Sequence, residues 1–201
     1  MMWLSILIGY ILGSVPSAIW LGETFHNTDV RNHGSGNAGA TNTFRVLGWK
    51  IGVIVLVIDM IKGYGALLIA ERLFSLSSHD LIIILSGIAA VMGHIFPLFA
   101  GFRGGKGIAT LAGVGIFIFP LSFLGVLIVF LIVFLLSKYI SLGSILGAIS
   151  LPFISYFIGN NHSTEIIAFT ILIAILVPLT HHKNIKRLFN GTENKLRIKQ
   201  T

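Results

Sequence analysis

The sequence predicts an all-α integral membrane protein that crosses the bilayer with about seven helices. Of its 201 residues, 55% are hydrophobic and only 10% are charged, and the mean hydropathy is +0.92. A soluble domain carries about 25% charged residues, so this chain is too poor in charge to cover a water-facing surface. Long apolar runs point the same way, because about 20 apolar residues make one helical crossing. We predict one membrane-embedded domain over residues 1–201.

The apolar runs define the predicted spans in chain order. The first begins without a basic segment or a small-residue cleavage pattern, which indicates a span and not a signal peptide. A long polar loop separates the first two spans, and a glycine-rich loop follows the third. The five uninterrupted spans cover residues 2–22, 50–70, 81–100, 141–159 and 166–180.

The apolar stretch at residues 108–137 decides the number of crossings. Thirty helical residues would measure about 45 Å, which exceeds a hydrocarbon core of about 30 Å. Pro120 lies near the middle and favours a break, because proline lacks the backbone N–H that a continuous helix needs. We therefore predict two segments here. Two crossings and a re-entrant pair both satisfy this pattern and give the same sidedness.

The basic residues indicate how the chain is oriented. The sequence has 14 Lys and Arg against 7 Asp and Glu, and with seven segments twelve of the basic residues fall on one side. Lys and Arg collect in cytoplasmic loops, so we expect the N-terminus outside, the C-terminus in the cytoplasm and no nucleic-acid partner. The twelve residues are Arg31, Arg45, Lys50, Arg103, Lys106, Lys138, Lys183, Lys186, Arg187, Lys195, Arg197 and Lys199.

Three polar stretches on this predicted cytoplasmic face carry glycine, hydroxyl, amide and cationic groups. They cover residues 31–45, 101–107 and 181–195. Glycine lets backbone N–H groups turn toward an oxyanion, and Lys106 stands just before a predicted helix start at Ile108, where the helix dipole is positive. The composition favours a phosphate site. The alternative is that each glycine-rich loop is only a tight turn between spans.

Several single residues carry separate expectations. His181 and Asn184 are three apart, so they share one face if the last helix continues. Asp59 and Lys62 have the same spacing inside the second span, which favours a structural ion pair. His94, near the end of the third span, is expected to cap that helix. The chain has no cysteine and its histidines lack metal-binding spacing, so we expect no metal site and no cofactor.

The motifs Gly34-Ser-Gly-Asn-Ala-Gly-Ala-Thr-Asn42, Gly104-Gly-Lys-Gly107 and His181-x-x-Asn184 resemble those of the bacterial acyl-phosphate:glycerol-3-phosphate acyltransferases. The resemblance extends to Asp59-x-x-Lys62-Gly63 and to the whole span pattern. It implies a seven-helix, multi-pass enzyme of the bacterial inner membrane, active as a monomer, with its active site facing the cytoplasm. Such an enzyme moves a fatty acyl group from acyl-phosphate to the sn-1 hydroxyl of glycerol 3-phosphate, which yields lysophosphatidic acid and phosphate.

The resemblance also implies roles for individual residues. Catalytic roles pass by motif position to His181, Asn184 and Ser35. Structural support is expected from Glu193 and from the Asp59–Lys62 pair. The residues expected to bind substrate or phosphate are Arg45, Gly36, Asn37, Gly104, Gly105, Lys106, Gly107 and Ser144.

Two alternatives remain open from the sequence. A small transporter of a phosphorylated metabolite would also use broken helices and an anion site, although its binding site would lie near the bilayer midplane. The second concerns the proton of the attacking hydroxyl. His181 is a natural general base, because histidine titrates near neutral pH. No acid is placed to orient it, so we favour a substrate phosphate oxygen as the acceptor, with His181 and Asn184 as donors that position substrate.

Overall fold

The computed structural model describes residues 2–74, 79–159 and 163–196, and within these ranges all regular structure is helical. The chain divides into two compact units, Met1–Ile118 and Phe119–Thr201, which are described separately below. The prediction of one domain over the whole chain stays a prediction. Residues 160–162, in the predicted turn before the last span, and Arg197 and Lys199, in the basic tail, lie outside the described residues.

The first unit begins with a helix broken by proline. Helices α1 (Met2–Gly13) and α2 (Ser17–His26) together make one candidate span, Trp3–His26, of 24 residues. The sequence predicted an uninterrupted span here. Pro16 explains the difference, since it has no N–H to donate and its ring disfavours a helical conformation in the residue before it. The break exposes the carbonyl oxygen of Val15 to partners outside the helix.

Helix α3 (Ala40–Leu47) lies inside the long polar loop and was not predicted. It follows Gly39, which has an extended φ of −140°, and it ends at Gly48 with a φ of +86°. Glycine at a helix C-terminus adopts such a left-handed φ without strain. An amphipathic helix of eight residues is too short to produce a long apolar run, which is why the search for spans passed over it.

Helices α4 (Trp49–Phe74), α5 (His79–Ile95) and α6 (Ile108–Ile118) complete the first unit. Helix α1 packs on α5, and α4 packs on α6, α3, α1 and α5. Glycine permits the close contacts: a Cβ at Gly13 would collide with the backbone of Ala90 in α5, and one at Gly113 with the backbone of Met60 in α4. Small residues are typical of helix contacts in membranes, where close backbone approach gives much of the packing energy.

The second unit contains α7 (Pro120–Ser137), α8 (Ile140–Ile158), α9 (Thr164–Thr180) and α10 (His182–Phe189). Pro120 is the first residue of α7, so the predicted break within residues 108–137 is confirmed. Helix α7 packs on α8, and α8 packs on α9. Helices α9 and α10 meet at an angle of 61°, and His181 is the residue at this bend.

Within the described residues, five helical segments are long and apolar enough to cross a membrane, or six when the bent pair α9 and α10 is included. The chain is therefore a multi-pass membrane protein. Helix α6 has 11 residues and is about 16 Å long, too short for a hydrocarbon core of about 30 Å. The predicted count of seven and the predicted orientation of the termini stay predictions.

Candidate functional site

Asn42 organises the first polar stretch with its side chain. Its Oδ1 accepts hydrogen bonds from the Ser35 backbone N–H at 2.8 Å and from the Ser35 hydroxyl at 3.1 Å. Its Nδ2 donates to the carbonyl oxygens of Val30 at 2.8 Å and His33 at 3.1 Å. Asn42 lies on α3 and is 1% exposed. One buried amide thus fixes the loop that presents Ser35.

The predicted site residues of this stretch precede and follow Asn42 in the chain. Ser35 and Asn37 are half-buried in the loop, and Gly36 is exposed there with a φ of +72°, which favours glycine. Arg45 is half-buried in the last turn of α3 and follows Asn42 by three residues. Residues three apart lie along one side of a helix, so Arg45 projects from the side of α3 that holds Ser35.

Arg31 joins the first polar stretch to the segment before the glycine loop. Its Nη1 donates to the carbonyl oxygen of Ala100 at 2.9 Å, and its Nη2 lies 2.7 Å from Oδ2 of Asp29. The hydrogen bonds from Arg31 outweigh the effect of burial and lower the pKa of Asp29 below its usual value. Asp29 therefore remains ionised and holds the guanidinium in place.

The glycine loop, residues 101–107, is anchored to the end of α5. The N–H of Gly104 donates to the Ile95 carbonyl at 3.1 Å, and the N–H of Gly105 donates to the His94 carbonyl at 3.1 Å. A Cβ at Gly104 would collide with the His94 carbonyl oxygen, and one at Gly105 with Nε2 of the His94 ring. The glycine-rich sequence predicted that N–H groups of this loop face phosphate. That expectation is corrected for Gly104 and Gly105, because both N–H groups are bonded within the chain.

The end of the glycine loop leads directly into α6. Lys106 is half-buried, and Gly107 has a φ of +80°. The Gly107 carbonyl accepts the first helical hydrogen bond, from Leu111 at 2.7 Å. The N–H groups of the first turn of a helix have no partner within that helix, so they give this end of α6 a partial positive charge beside Lys106.

A buried polar cluster lies beneath the loop. Asp59 and Lys62 form the expected ion pair, with 2.8 Å between Oδ1 and Nζ. The Ser17 hydroxyl donates to the same oxygen at 2.6 Å, and Lys62 also donates to the Val15 carbonyl at 2.9 Å. His94 does not cap α5 as expected; its ring faces this carboxylate, with Nδ1 at 3.6 Å from Asp59 Oδ1. The cluster borders a small pocket, partly open to solvent, that is lined by Val15, Pro16, Ser17, Ala38, Lys62, His94, Pro97 and Gly104.

Glu193 is the centre of a second cluster, in the second unit. Its Oε1 accepts hydrogen bonds from Asn184 Nδ2 at 2.6 Å and from the Ser141 hydroxyl at 2.8 Å, and its Oε2 accepts one from Arg187 Nε at 2.6 Å. Burial alone would raise the pKa of Glu193, but the hydrogen bonds from Arg187, Asn184 and Ser141 outweigh it and lower that pKa below its usual value. Glu193 is therefore an ionised, 7% exposed carboxylate.

His181 is oriented by the backbone of α9. Its Nδ1 lies 2.8 Å from the Val177 carbonyl oxygen and 3.3 Å from the Thr180 hydroxyl, and the residue is 3% exposed. A carbonyl oxygen only accepts hydrogen bonds, so Nδ1 carries a proton. In the neutral ring Nε2 is then an acceptor, and in the imidazolium it is a donor.

The predicted residues thus gather in two groups, one in each unit. The first group contains Ser35 and Arg45 near Asn42, together with the glycine loop. The second contains Asn184 and Glu193, with His181 at the bend before α10. Ser144 donates to the Ile140 carbonyl of its own helix at 3.0 Å, and its neighbour Ser141 is the residue that binds Glu193.

Several contributing residues were missed from the sequence: Asn42, Arg31, Ser17, His94 and Ser141. Asn42 ends the first motif and Ser141 stands near Ser144, so position in the motif was their only signal. The contacts of Ser17 and His94 depend on tertiary packing, which a search for spans does not detect.

Comparison with known proteins identifies the family of this chain. Residues 3–191 match the family model described as glycerol-3-phosphate acyltransferase. A glycerol-3-phosphate acyltransferase from Listeria monocytogenes is 47% identical over 191 residues, which cover 95% of this chain and 94% of that protein. One from Fusobacterium nucleatum is 43% identical over 193 residues, which cover 96% of this chain and 97% of that protein.

Two solved structures share the fold. Both are crystal structures of PlsY (YgiH), an integral membrane glycerol 3-phosphate acyltransferase. The glycerol 3-phosphate form has a TM-score of 0.89 and 35% identity, and covers 98% of this chain and 96% of that chain. The lysophosphatidic acid form has a TM-score of 0.86 and 34% identity over the same shares.

Proposed function

Because the chain belongs to the glycerol-3-phosphate acyltransferase family, we propose that it transfers a fatty acyl group from an acyl-phosphate to the sn-1 hydroxyl of glycerol 3-phosphate. The hydroxyl oxygen attacks the acyl carbonyl carbon, and the bond from that carbon to the phosphate oxygen breaks. The products are lysophosphatidic acid and phosphate. The observation that carries the proposal is the family match over residues 3–191, which includes every residue proposed below to contact substrate.

We propose that the phosphate of glycerol 3-phosphate binds between the first polar stretch and the glycine loop. Arg45 and Lys106 supply positive charge, and Ser35 supplies a hydroxyl that Asn42 holds in place. Gly36 and Asn37 present backbone and amide groups beside Ser35. Charge-assisted hydrogen bonds to phosphate are about twice as strong as neutral ones.

The glycines of the second motif, residues 104–107, support this site because they allow close packing. Gly104 and Gly105 let the loop lie against α5 without a Cβ, which places the next residue, Lys106, at a defined position. Gly107 immediately precedes α6, whose positive end adds to the attraction for phosphate. Ser144 is proposed as a further hydroxyl contact to substrate.

His181 and Asn184 are proposed to act on the reacting groups. The hydrogen bond from Asn184 to Glu193 fixes the amide plane, and the Val177 carbonyl fixes the His181 ring. Acyl-phosphate is already activated, so the enzyme mainly has to align the hydroxyl and stabilise the oxyanion that forms. We propose that His181 does so as an imidazolium donor and that a substrate phosphate oxygen accepts the hydroxyl proton.

The proposed setting is the bacterial inner membrane, with the active site on the cytoplasmic side and the N-terminus outside. The one-sided distribution of twelve basic residues supports this orientation. We propose that the protein acts as a monomer. Light scattering of the purified protein–detergent complex would measure the oligomeric state.

The decisive test is an assay of purified protein in detergent with glycerol 3-phosphate and palmitoyl phosphate. We expect lysophosphatidic acid and inorganic phosphate in equal amounts. Detergent micelles have no sealed compartment, so product formation would exclude a purely transporting protein. Absence of product with both substrates, in a preparation that binds glycerol 3-phosphate, would favour the transporter alternative.

A further inference from the structure

We propose that Asp59 and His94 are positioning residues that hold the glycine loop for the phosphate of glycerol 3-phosphate, an inference that rests on the proposed function. Both residues lie in helices that the sequence assigns to the membrane, Asp59 in α4 and His94 in α5. Both are buried, with exposed fractions of 0% and 6%. Neither residue is a proposed substrate contact, so their effect has to pass through the loop.

His94 touches the loop in two ways. Its carbonyl oxygen accepts the hydrogen bond from the Gly105 N–H. Its ring lies against the α-carbon of Gly105, where a Cβ would collide with Nε2. The orientation of this ring therefore limits where Gly105 can lie, and Lys106 follows Gly105 directly in the chain.

Asp59 in turn faces the opposite side of the ring. Its Oδ1 is held by the Ser17 hydroxyl and by Lys62, and His94 Nδ1 lies 3.6 Å from this same oxygen. Lys62 is itself fixed by the Val15 carbonyl at the break between α1 and α2. The carboxylate is thus held in place against the edge of the imidazole that carries Nδ1.

Two features argue against a purely stabilising ion pair. Within the described residues, Asp59 Oδ2 and His94 Nδ1 are buried and make no hydrogen bond. Burying a polar atom without a partner is costly, so a cluster that served stability alone would satisfy these atoms. The cluster also borders a pocket whose lining includes Ala38 of the first motif and Gly104 of the second. Charged groups inside membrane spans are costly and usually serve function.

The central experiment removes both charges at once. The double variant D59N/K62M leaves no unpaired buried charge, which is the usual reason that such a variant fails to fold. We expect its KM for glycerol 3-phosphate to rise about tenfold, with kcat within about threefold and the KM for palmitoyl phosphate unchanged, because a small shift of a binding group is sufficient for such losses. H94F, which keeps a ring but no nitrogen, should produce the same change.

Combining the substitutions at Asp59 and His94 gives the sharpest test. If Asp59 acts through His94, the combined variant D59N/K62M/H94F will be no worse than either parent, whereas independent effects on binding would multiply. L67A is the matched control, because Leu67 is fully buried in α4 and its side chain lies beside Gly87 of α5. We expect L67A to lower thermal stability and to leave the KM for glycerol 3-phosphate unchanged.

Binding is also measured without turnover, from the rise in unfolding temperature that glycerol 3-phosphate causes. This measurement separates the inference from the proposed function. If the wild type forms no product, the proposed reaction is refuted. The positioning role is still tested by comparing the binding of glycerol 3-phosphate to the wild type with its binding to H94F. Wild-type binding in both D59N/K62M and H94F would overturn the inference, as would effects that multiply or an equal rise in both KM values.

Discussion

The side chain of Asn184 donates a 2.6 Å hydrogen bond to Oε1 of Glu193, nine residues further along the chain. Both residues are buried, with exposed fractions of 5% and 7%. The amide orientation of Asn184 therefore depends on an ionised carboxylate, and any change that neutralises Glu193 will disturb a proposed catalytic residue without touching it.

Replacing Glu193 with Gln is expected to reduce both stability and turnover. Gln keeps one oxygen acceptor, but its NH₂ group confronts a donor, either Asn184 or Arg187. Hydrogen bonds to a charged group are worth about 1.5–3 kcal/mol, so we expect a loss of that order in the free energy of unfolding. S150A is the control, because the Ser150 hydroxyl only donates to Gly147 within α8. Thermal unfolding of E193Q and S150A in detergent at pH 7 would measure their stability, and the acyl-transfer assay would measure their turnover.

Lowering the pH should abolish the difference in stability between the wild type and E193Q. The pKa of Glu193 is lowered in the folded protein relative to its usual value of 4.5. A group with a lowered folded pKa stabilises the protein above its unfolded pKa, and this contribution is lost as the pH falls through the folded value. The difference in unfolding temperature between the two proteins should therefore shrink below about pH 4.5. A difference that is constant down to pH 3 would contradict the assignment.

Asn42 should prove as important as the residues of the proposed site itself. N42A leaves Ser35, Val30 and His33 without their shared partner, and each buried polar group left unpaired costs about 1–3 kcal/mol. N42D keeps the acceptor for Ser35 but loses both donors. We expect both variants to lose activity and stability, N42D because its buried carboxylate would face the carbonyl oxygens of Val30 and His33. Equal activity of N42A and wild type would show that the position of Ser35 is unimportant.

The spans were predictable because each depends on local composition. A run of apolar residues and a proline such as Pro120 act within one helix, so the break before α7 followed from sequence alone. Pro16 acts by the same rule, but the run at residues 2–22 has the length of one span, so its length gave no reason to divide it. Helix α3 escaped prediction because eight residues of mixed polarity resemble a loop.

The site was predictable only where one motif contains both partners. Asp59 and Lys62 are three residues apart, so spacing alone predicted their ion pair. The link between Ser141 and Glu193 spans 52 residues, and that between Ser17 and Asp59 spans 42. Such contacts form only when helices pack. The same holds for Gly104 and Gly105, whose N–H groups bind α5 where the sequence suggested phosphate.

Adding a methyl group at Gly105 should impair the use of glycerol 3-phosphate without changing any charge. In G105A the new Cβ would meet Nε2 of His94, so the loop must move and Lys106 with it. A displacement of about 1 Å in a positioning element can cost about a hundredfold in rate. Gly65 is the matched control, because a Cβ there meets nothing within 4 Å. We expect normal kinetics for G65A; normal kinetics for G105A would refute the packing argument.

Removing either proposed phosphate-binding cation should weaken glycerol 3-phosphate binding while preserving the fold. R45A and K106A each delete one charge-assisted contact, worth about 1.5–3 kcal/mol, and should raise KM by roughly tenfold to a hundredfold. K50A, at an exposed lysine near the start of α4, controls for the general loss of positive charge. Steady-state kinetics measure the KM for glycerol 3-phosphate. Unchanged KM values in both R45A and K106A would show that neither residue binds the phosphate.

The pH dependence of turnover should identify the group that accepts the hydroxyl proton. The Val177 carbonyl keeps a proton on Nδ1 of His181, so only Nε2 changes between donor and acceptor. A general base needs the neutral ring, and turnover would then fall on acidification. A positioning donor needs the imidazolium, and turnover would then fall as the pH rises and the ring loses its second proton.

We expect a bell-shaped profile whose two limbs have different origins. The acid limb follows the second ionisation of the substrate phosphate, with a pKa near 6, because a dianion accepts the proton. The alkaline limb follows His181. In H181Q the amide remains a donor at every pH, so the alkaline limb should disappear while the acid limb persists and turnover is substantially retained. Glutamine is no base, so if His181 is the acceptor, H181Q will lose about 10²–10⁴-fold in turnover with glycerol 3-phosphate binding preserved. That outcome would show that His181, and not the substrate phosphate, accepts the hydroxyl proton.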